Sequence, residues 1–161
     1  MLRIMPFVFT EKAQKVMATR VLIVDDHPIV RQGISHLVER EPDLQVCGEA
    51  EDVHEALGKI EEEKPDVVLV DLSLKESDGM DLVQDIKLRY PEIRVLVLSM
   101  HDEKYYADRA LRVGARGYLM KDEAPKKVVK AIRRIVSGEI FSVDSKPQLQ
   151  EWIEPLLTML A

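Results

Sequence analysis

The segment VVLVD at residues 67–71 is short, continuously apolar and rich in β-branched residues, and it ends in an acid. Such a run is typical of a strand that is buried on both faces of a parallel sheet. The segment VLIV at residues 21–24 has the same character and is followed by Asp25 and Asp26. Because ligands bind at the carboxyl ends of the strands in open α/β sheets, we expect these two acids and Asp71 to meet at one edge.

Strand-like and helix-like segments alternate on both sides of this run. The predicted strands are residues 20–24, 44–48, 67–70, 95–98 and 117–120. The predicted helices begin at Pro28, after Asp52, after Asp78, at Tyr105 and at Pro125. This strict alternation predicts a parallel sheet with helices on both faces. Right-handed crossovers then favour a flavodoxin-like (βα)5 doubly wound α/β fold with strand order 2-1-3-4-5.

The composition excludes several classes of protein. The chain has 161 residues, of which 46% are hydrophobic and 32% charged, which fits one globular domain with tails. No apolar run approaches the roughly 20 residues of a membrane helix, so no membrane partner is expected. The net charge of −6 argues against DNA binding by this chain itself. The single cysteine, Cys47, fits a reducing compartment, so we expect a cytoplasmic location.

Polar side chains follow four of the predicted strands. Asp25 and Asp26 follow the first strand, Asp71 the third, Ser99 the fourth and Lys121 the fifth. Carboxylates this close together repel each other, and a hard divalent cation removes that penalty. Mg²⁺ is favoured over Ca²⁺, because it commonly binds through one or two carboxylates together with water and phosphate oxygens.

These groups predict a phosphoryl-transfer site. Asp71 is the expected nucleophile, because the central strand presents it between the other groups and a carboxylate can take a phosphoryl group as an acyl phosphate. Lys121 would pair with the phosphoryl oxygens, and Ser99 would donate a hydrogen bond to them. The expected metal ligands are Asp25, Asp26, Asp71 and the backbone carbonyl of Ser73. His27 and His101 are interpreted as surface histidines rather than as metal ligands.

Four motifs in this order resemble a known family. VLIVDDHP at residues 21–28, VVLVDL at 67–72, VLVLSM at 95–100 and GYLMK at 117–121 are similar to the CheY-like receiver domains of two-component response regulators. The details DDHP and GYLMK resemble the NarL/FixJ subfamily. The resemblance divides the chain into an N-terminal extension (residues 1–18), a receiver domain (19–140) and a C-terminal linker or tail (141–161).

The resemblance implies a mechanism and partners. A sensor histidine kinase would phosphorylate Asp71, Ser99 would move toward the phosphoryl group, and Tyr118 would turn inward behind it. The face formed by the fourth helix, fifth strand and fifth helix would then change. A homodimer would form through this face or through the first and fifth helices. The protein would be no enzyme in the usual sense, since it would catalyse only its own phosphorylation and dephosphorylation.

Three functions stay open at this point. The first is control of transcription through a DNA-binding domain that is absent from this chain. The second is a stand-alone receiver that acts through protein–protein interaction. The third is a flavodoxin-like FMN-binding protein, which the acidic residues after the first strand disfavour because they would repel the FMN phosphate in the absence of a metal. Two interpretations of Tyr118 also stay open: its side chain either moves on phosphorylation or is an ordinary core residue.

Overall fold

The computed structural model describes residues 17–74, 78–100 and 104–142, together with Met159. The expectations for residues 1–16 of the N-terminal extension, for most of the C-terminal tail and for His101 therefore lie outside the described residues. The strands are β1 (Thr19–Val24), β2 (Leu44–Ala50), β3 (Val67–Asp71), β4 (Arg94–Ser99), β5 (Gly117–Met120) and β6 (Phe141–Ser142). The helices are α1 (Pro28–Glu39), α2 (Val53–Glu63), α3 (Gly79–Arg89), α4 (Lys104–Val113) and α5 (Ala124–Val136).

The strands form one parallel sheet in the order β2-β1-β3-β4-β5-β6. The predicted order of the first five strands is confirmed. The sixth strand was not predicted, because two residues are too few to show a periodic pattern. Phe141 is buried and pairs with Gly117 of β5, so the sheet extends past residue 140, where the receiver domain was expected to end.

Local signals in the sequence placed several helix ends correctly. Asp52 accepts a hydrogen bond from the Glu55 backbone N–H at 2.8 Å, and Asp78 accepts one from the Met80 N–H at 2.8 Å. Both acids cap the helices that follow them, as their positions predicted. Gly114 has a φ of 124° just after α4, a backbone conformation that favours glycine at the end of a helix.

The strand ends differ from the prediction by one or two residues. β2 runs on to Ala50, where it pairs with Val24, and the backbone N–H of Asp25 donates to the carbonyl of Ala50 at 3.0 Å. The polar Glu49 lies inside this extension, which is why an apolar pattern alone ended the strand too early. The longer β2 brings its carboxyl end level with that of β1.

The core consists of two layers, one on each face of the sheet. Val68 and Val70 of β3 belong to the layer shared with α2, α3 and α4. Val67 and Leu69 belong to the layer shared with α1 and α5. All of β3 is buried between them, as its continuous apolar sequence predicted, and it delivers Asp71 to the edge. Among the described residues, no helix is long and apolar enough to cross a membrane.

Candidate functional site

The carboxyl ends of four strands bring the predicted side chains to one edge of the sheet. Asp25 and Asp26 follow β1, Asp71 ends β3, Ser99 ends β4 and Lys121 follows β5. Asp25, Asp71 and Ser99 are fully buried. Asp71 pairs in register with Leu98 of β4, so Ser99 lies one residue beyond its neighbour on the adjacent strand. The expectation that these strand ends share one edge is therefore met.

Lys121 is the cation at the centre of this group. Its Nζ lies 2.9 Å from Asp25 Oδ2 and 2.9 Å from Asp71 Oδ2, and only 6% of its side chain is exposed. Its backbone N–H donates to the carbonyl of Ser99 at 2.8 Å, which ties the end of β5 to that of β4. Burial by itself would lower the pKa of Lys121, but attraction to the two carboxylates raises it above its usual value. Lys121 therefore stays charged.

The two carboxylate oxygens of Asp71 have different surroundings. Oδ1 accepts a hydrogen bond from the backbone N–H of Ser73 at 3.0 Å, and Oδ2 faces Lys121. Burial raises the pKa of Asp71 above its usual value and outweighs the lowering effects of Ser73 and Lys121. The contacts with Ser73 and Lys121 therefore do not fully offset the cost of burying the ionised carboxylate. The contact seen for Ser73 is through its N–H; its carbonyl as a metal ligand stays a prediction.

The start of α3 packs closely against the backbone of Asp71 and Leu72. Gly79 lies so close to the end of β3 that a Cβ atom there would sit 2.8 Å from Leu72 Cα and nearer still to the Asp71 carbonyl oxygen. Real Cβ atoms essentially never come within 3.0 Å of such atoms. A residue without a side chain is therefore required at this position.

The cluster contains carboxylate oxygens that fit a cation. Buried oxygens without a hydrogen-bond partner among the described residues are Asp25 Oδ2, Asp26 Oδ1, Asp26 Oδ2 and Asp71 Oδ2. Those of Asp25 and Asp71 are within ion-pair distance of Lys121 but lack hydrogen-bond geometry. Leaving buried acceptors unsatisfied is costly. Hard oxygen ligands of this kind suit Mg²⁺, so the residues fit the predicted metal.

His27 lies against the same carboxylates. Its Nδ1 is 3.0 Å from Asp25 Oδ1, 3.0 Å from Asp26 Oδ1 and 3.7 Å from Asp71 Oδ2. Its side chain is 53% exposed, as expected of a surface histidine. The sequence interpretation nevertheless overlooked its closeness to the acids. The signal was present, since His27 directly follows Asp26 at the end of a strand.

Arg31 is a second residue that sequence reasoning missed. Its Nη1 donates to the backbone carbonyl of Asp25 at 2.6 Å, and its Nε lies 3.2 Å from Glu49 Oε1. The guanidinium therefore connects α1 to the ends of β1 and β2. No pattern in the sequence could have shown this, because the contact depends on the register that places Glu49 beside the end of β1.

Tyr118 of β5 is 3% exposed. It belongs to the core layer that also contains Ala107 and Ala110 of α4. Its ring is therefore inside the protein, next to the helix that was expected to respond to phosphorylation. Movement of Tyr118 and of Ser99 stays a prediction.

Comparison with known proteins identifies the family. Residues 21–133 match the response regulator receiver domain family, so the chain belongs to it. It is 34% identical over 122 residues to the transcriptional regulatory protein DegU of Brevibacillus brevis, covering 76% of this chain and 52% of that protein. The chain thus spans about half the length of this curated relative. The family is that of a receiver domain rather than of a conventional enzyme.

Solved structures agree with this assignment. A LuxR-family two-component response regulator from Aurantimonas sp. SI85-9A1 is 35% identical, with a TM-score of 0.77 over 84% of this chain and 99% of that one. The non-phosphorylated receiver domain of the stress response regulator RcsB from Escherichia coli is 30% identical, with a TM-score of 0.74 over 79% and 99% of the two chains. The resemblance to receiver domains of the LuxR/NarL type is confirmed.

Proposed function

We propose that Asp71 accepts a phosphoryl group and that this modification is how the chain carries a signal. The observation that supports this most directly is that Asp71, at the end of a central buried strand, has its Oδ2 2.9 Å from Lys121 Nζ, which is also 2.9 Å from Asp25 Oδ2. A carboxylate oxygen of Asp71 would bond to phosphorus while the bond from phosphorus to the donor's imidazole nitrogen breaks. The leaving imidazole keeps the electron pair of that bond.

The surrounding residues would assist by position and charge. Lys121 already lies 2.9 Å from Asp71 Oδ2 and would neutralise the incoming phosphoryl oxygens. The Ser73 N–H holds Asp71 Oδ1 and so orients the carboxylate. Ser99 would donate a hydrogen bond to the phosphoryl group, and Tyr118 would respond through the core layer that it shares with α4.

The proposed cofactor is Mg²⁺. Asp25, Asp26 and Asp71 would hold it, with the carbonyl of Ser73 as a further ligand. The buried, unpartnered oxygens of Asp26 support this, because they need a positive charge that the described residues do not supply through a hydrogen bond. When bound, Mg²⁺ would supply charge neutralisation for the phosphoryl oxygens.

The partners follow from the family. The phosphoryl donor would be a sensor histidine kinase, and the output would be transcription through a DNA-binding domain outside the receiver. Residues 19–140 would be the receiver, flanked by the extension (1–18) and by the tail (141–161), whose first two residues add β6 to the sheet, in a cytoplasmic protein. A homodimer would use the α4-β5-α5 face or α1 and α5, which pack beside each other.

An acyl phosphate assay tests the phosphorylation site. The protein is incubated with acetyl phosphate and Mg²⁺, and intact mass spectrometry measures the gain of one phosphoryl group. We expect a modification that is stable in acid, labile in base and absent from Asp71→Asn. Asp81→Asn, which removes an exposed carboxylate from α3, is the matched control and should be labelled like the wild type. Labelling of Asp71→Asn at the wild-type level would refute the assignment.

The same assay without Mg²⁺ tests the cofactor. Chelation should abolish labelling, and Asp26→Asn should require more Mg²⁺ for the same rate.

FMN binding is not proposed, because four buried carboxylate oxygens lack hydrogen-bond partners in the described part of the chain and would repel a phosphate that arrives without a cation. A stand-alone receiver is distinguished by the reading frame beyond Ala161.

A further inference from the structure

His27 places an imidazole nitrogen beside the proposed Mg²⁺ ligands. One nitrogen or oxygen from each of Asp25, Asp26, His27 and Asp71 lies within 4.8 Å of all the others. The His27 ring is held in this position by its own backbone, whose N–H donates to Asp25 Oδ1 at 2.8 Å. Arg31 fixes the neighbouring carbonyl of Asp25 at 2.6 Å. The ring is thus attached to a firmly positioned turn.

Asp26 provides an independent sign that a cation belongs here. Its side chain is only 7% exposed, and both of its oxygens lack a hydrogen-bond partner among the described residues. Asp26 Oδ1 lies 3.0 Å from His27 Nδ1. A buried carboxylate beside an imidazole nitrogen is a common pair of ligands for divalent transition ions.

The spacing of these atoms suits such an ion, which would have the Lys121 ammonium as a close neighbour, with Lys121 Nζ 3.5 Å from His27 Nδ1. Lys121 contacts Oδ2 of Asp25, whereas His27 Nδ1 lies 3.0 Å from Oδ1 of the same carboxylate. A tetrahedral Zn²⁺ with bonds of about 2.0–2.1 Å separates its ligand atoms by about 3.3 Å. The two distances of 3.0 Å from His27 Nδ1, to Asp25 Oδ1 and Asp26 Oδ1, are already close to that value.

We propose that His27 Nδ1 is a specificity-determining ligand that gives this site an affinity for divalent transition ions such as Zn²⁺, in addition to Mg²⁺. Mg²⁺ takes oxygen ligands, so it gains little from the imidazole. Zn²⁺ binds neutral imidazole well, so it gains a ligand at His27. The two ions would compete for Asp25 and Asp26. This inference rests on the proposed metal site but concerns a residue that Mg²⁺ binding does not require.

Isothermal titration with Zn²⁺ and, separately, with Mg²⁺ tests the proposal on the whole chain. We expect His27→Ala to lower the affinity for Zn²⁺ about tenfold or more, while the affinity for Mg²⁺ does not fall. His36→Ala, which removes an exposed histidine of α1, is the matched control and should bind both ions like the wild type. His27→Gln, which offers an oxygen in place of the nitrogen, should also lose the preference for Zn²⁺.

A spectroscopic measurement identifies the ligand directly. In a protein with ¹⁵N-labelled histidine, Zn²⁺ should shift the imidazole ¹⁵N resonance that is missing from His27→Ala. An unchanged affinity for Zn²⁺ in His27→Ala, or an unshifted His27 resonance, would overturn the proposal. The Mg²⁺ titration separates the two hypotheses: a wild type that binds Zn²⁺ through His27 but does not bind Mg²⁺ contradicts the proposed Mg²⁺ site and leaves the role of His27 supported.

Discussion

A methyl group at position 79 should destabilise the fold and displace the candidate nucleophile. In Gly79→Ala the new Cβ would lie 2.8 Å from Leu72 Cα and closer still to the carbonyl oxygen of Asp71. Both are backbone atoms at the end of a buried strand, so they cannot move aside as a flexible side chain could. Overpacking of this kind costs about 1–3 kcal/mol, and we expect a value near the upper end.

Gly58→Ala is the matched control. Gly58 lies in the exposed face of α2, and no atom in the described part of the chain comes within 4 Å of an added Cβ. Alanine in a helix interior is more favourable than glycine by about 0.5–1 kcal/mol, so this variant should be slightly more stable than the wild type. Both substitutions add one methyl group to a glycine, but we expect them to change the free energy of unfolding in opposite directions.

Urea denaturation of the three proteins measures the difference. We expect the unfolding free energies of the two variants to differ by about 3–4 kcal/mol, from the two contributions above. Because Gly79 supports the carbonyl of Asp71, Gly79→Ala should also be labelled more slowly by acetyl phosphate than Gly58→Ala. A Gly79→Ala variant that unfolds at the same urea concentration as Gly58→Ala would refute the steric argument.

Three further predictions concern charged residues. Because burial raises the pKa of Asp71, its ionisation costs stability as the pH rises above about 4. Without metal, the stability of Asp71→Asn relative to the wild type should therefore increase from about pH 4 up to the raised pKa of the folded state, as urea unfolding at each pH will measure. Arg133 lies 2.8 Å from Asp43 and lowers its pKa, so Arg133→Gln should cost about 0.2–1 kcal/mol near pH 7, less in high salt, and nothing once pH falls below the lowered pKa of Asp43. Arg31→Gln should weaken Mg²⁺ binding about tenfold in a calorimetric titration, because it releases the carbonyl of Asp25.

The sheet and the main site residues could be predicted because they depend on local signals. A continuous apolar run followed by an acid indicates a buried parallel strand and its functional end, and this placed Asp25, Asp71 and Lys121 at one edge. Caps such as Asp52 and Asp78 act within one turn of a helix, so their residue type and position were enough.

The contacts that sequence reasoning missed depend on side-chain direction and on register. Arg31 meets the carbonyl of Asp25 only because α1 packs across the ends of β1 and β2. His27 turns its ring toward Asp26, although its high exposure is that of an ordinary surface residue. The roles of Ser99 and Tyr118 concern a second conformation and stay predictions.

The division of the core into two layers has a consequence for how this protein can be redesigned. Neighbouring residues of β5 belong to different layers: Tyr118 to the one with α4, and Leu119 to the one with α5. Substitutions at well-separated sites without shared contacts usually have additive effects. The core residues that pack against α4 and those that pack against α1 and α5 can therefore be substituted in two separate libraries. Asp71, which lies between the two layers, is left unchanged in both.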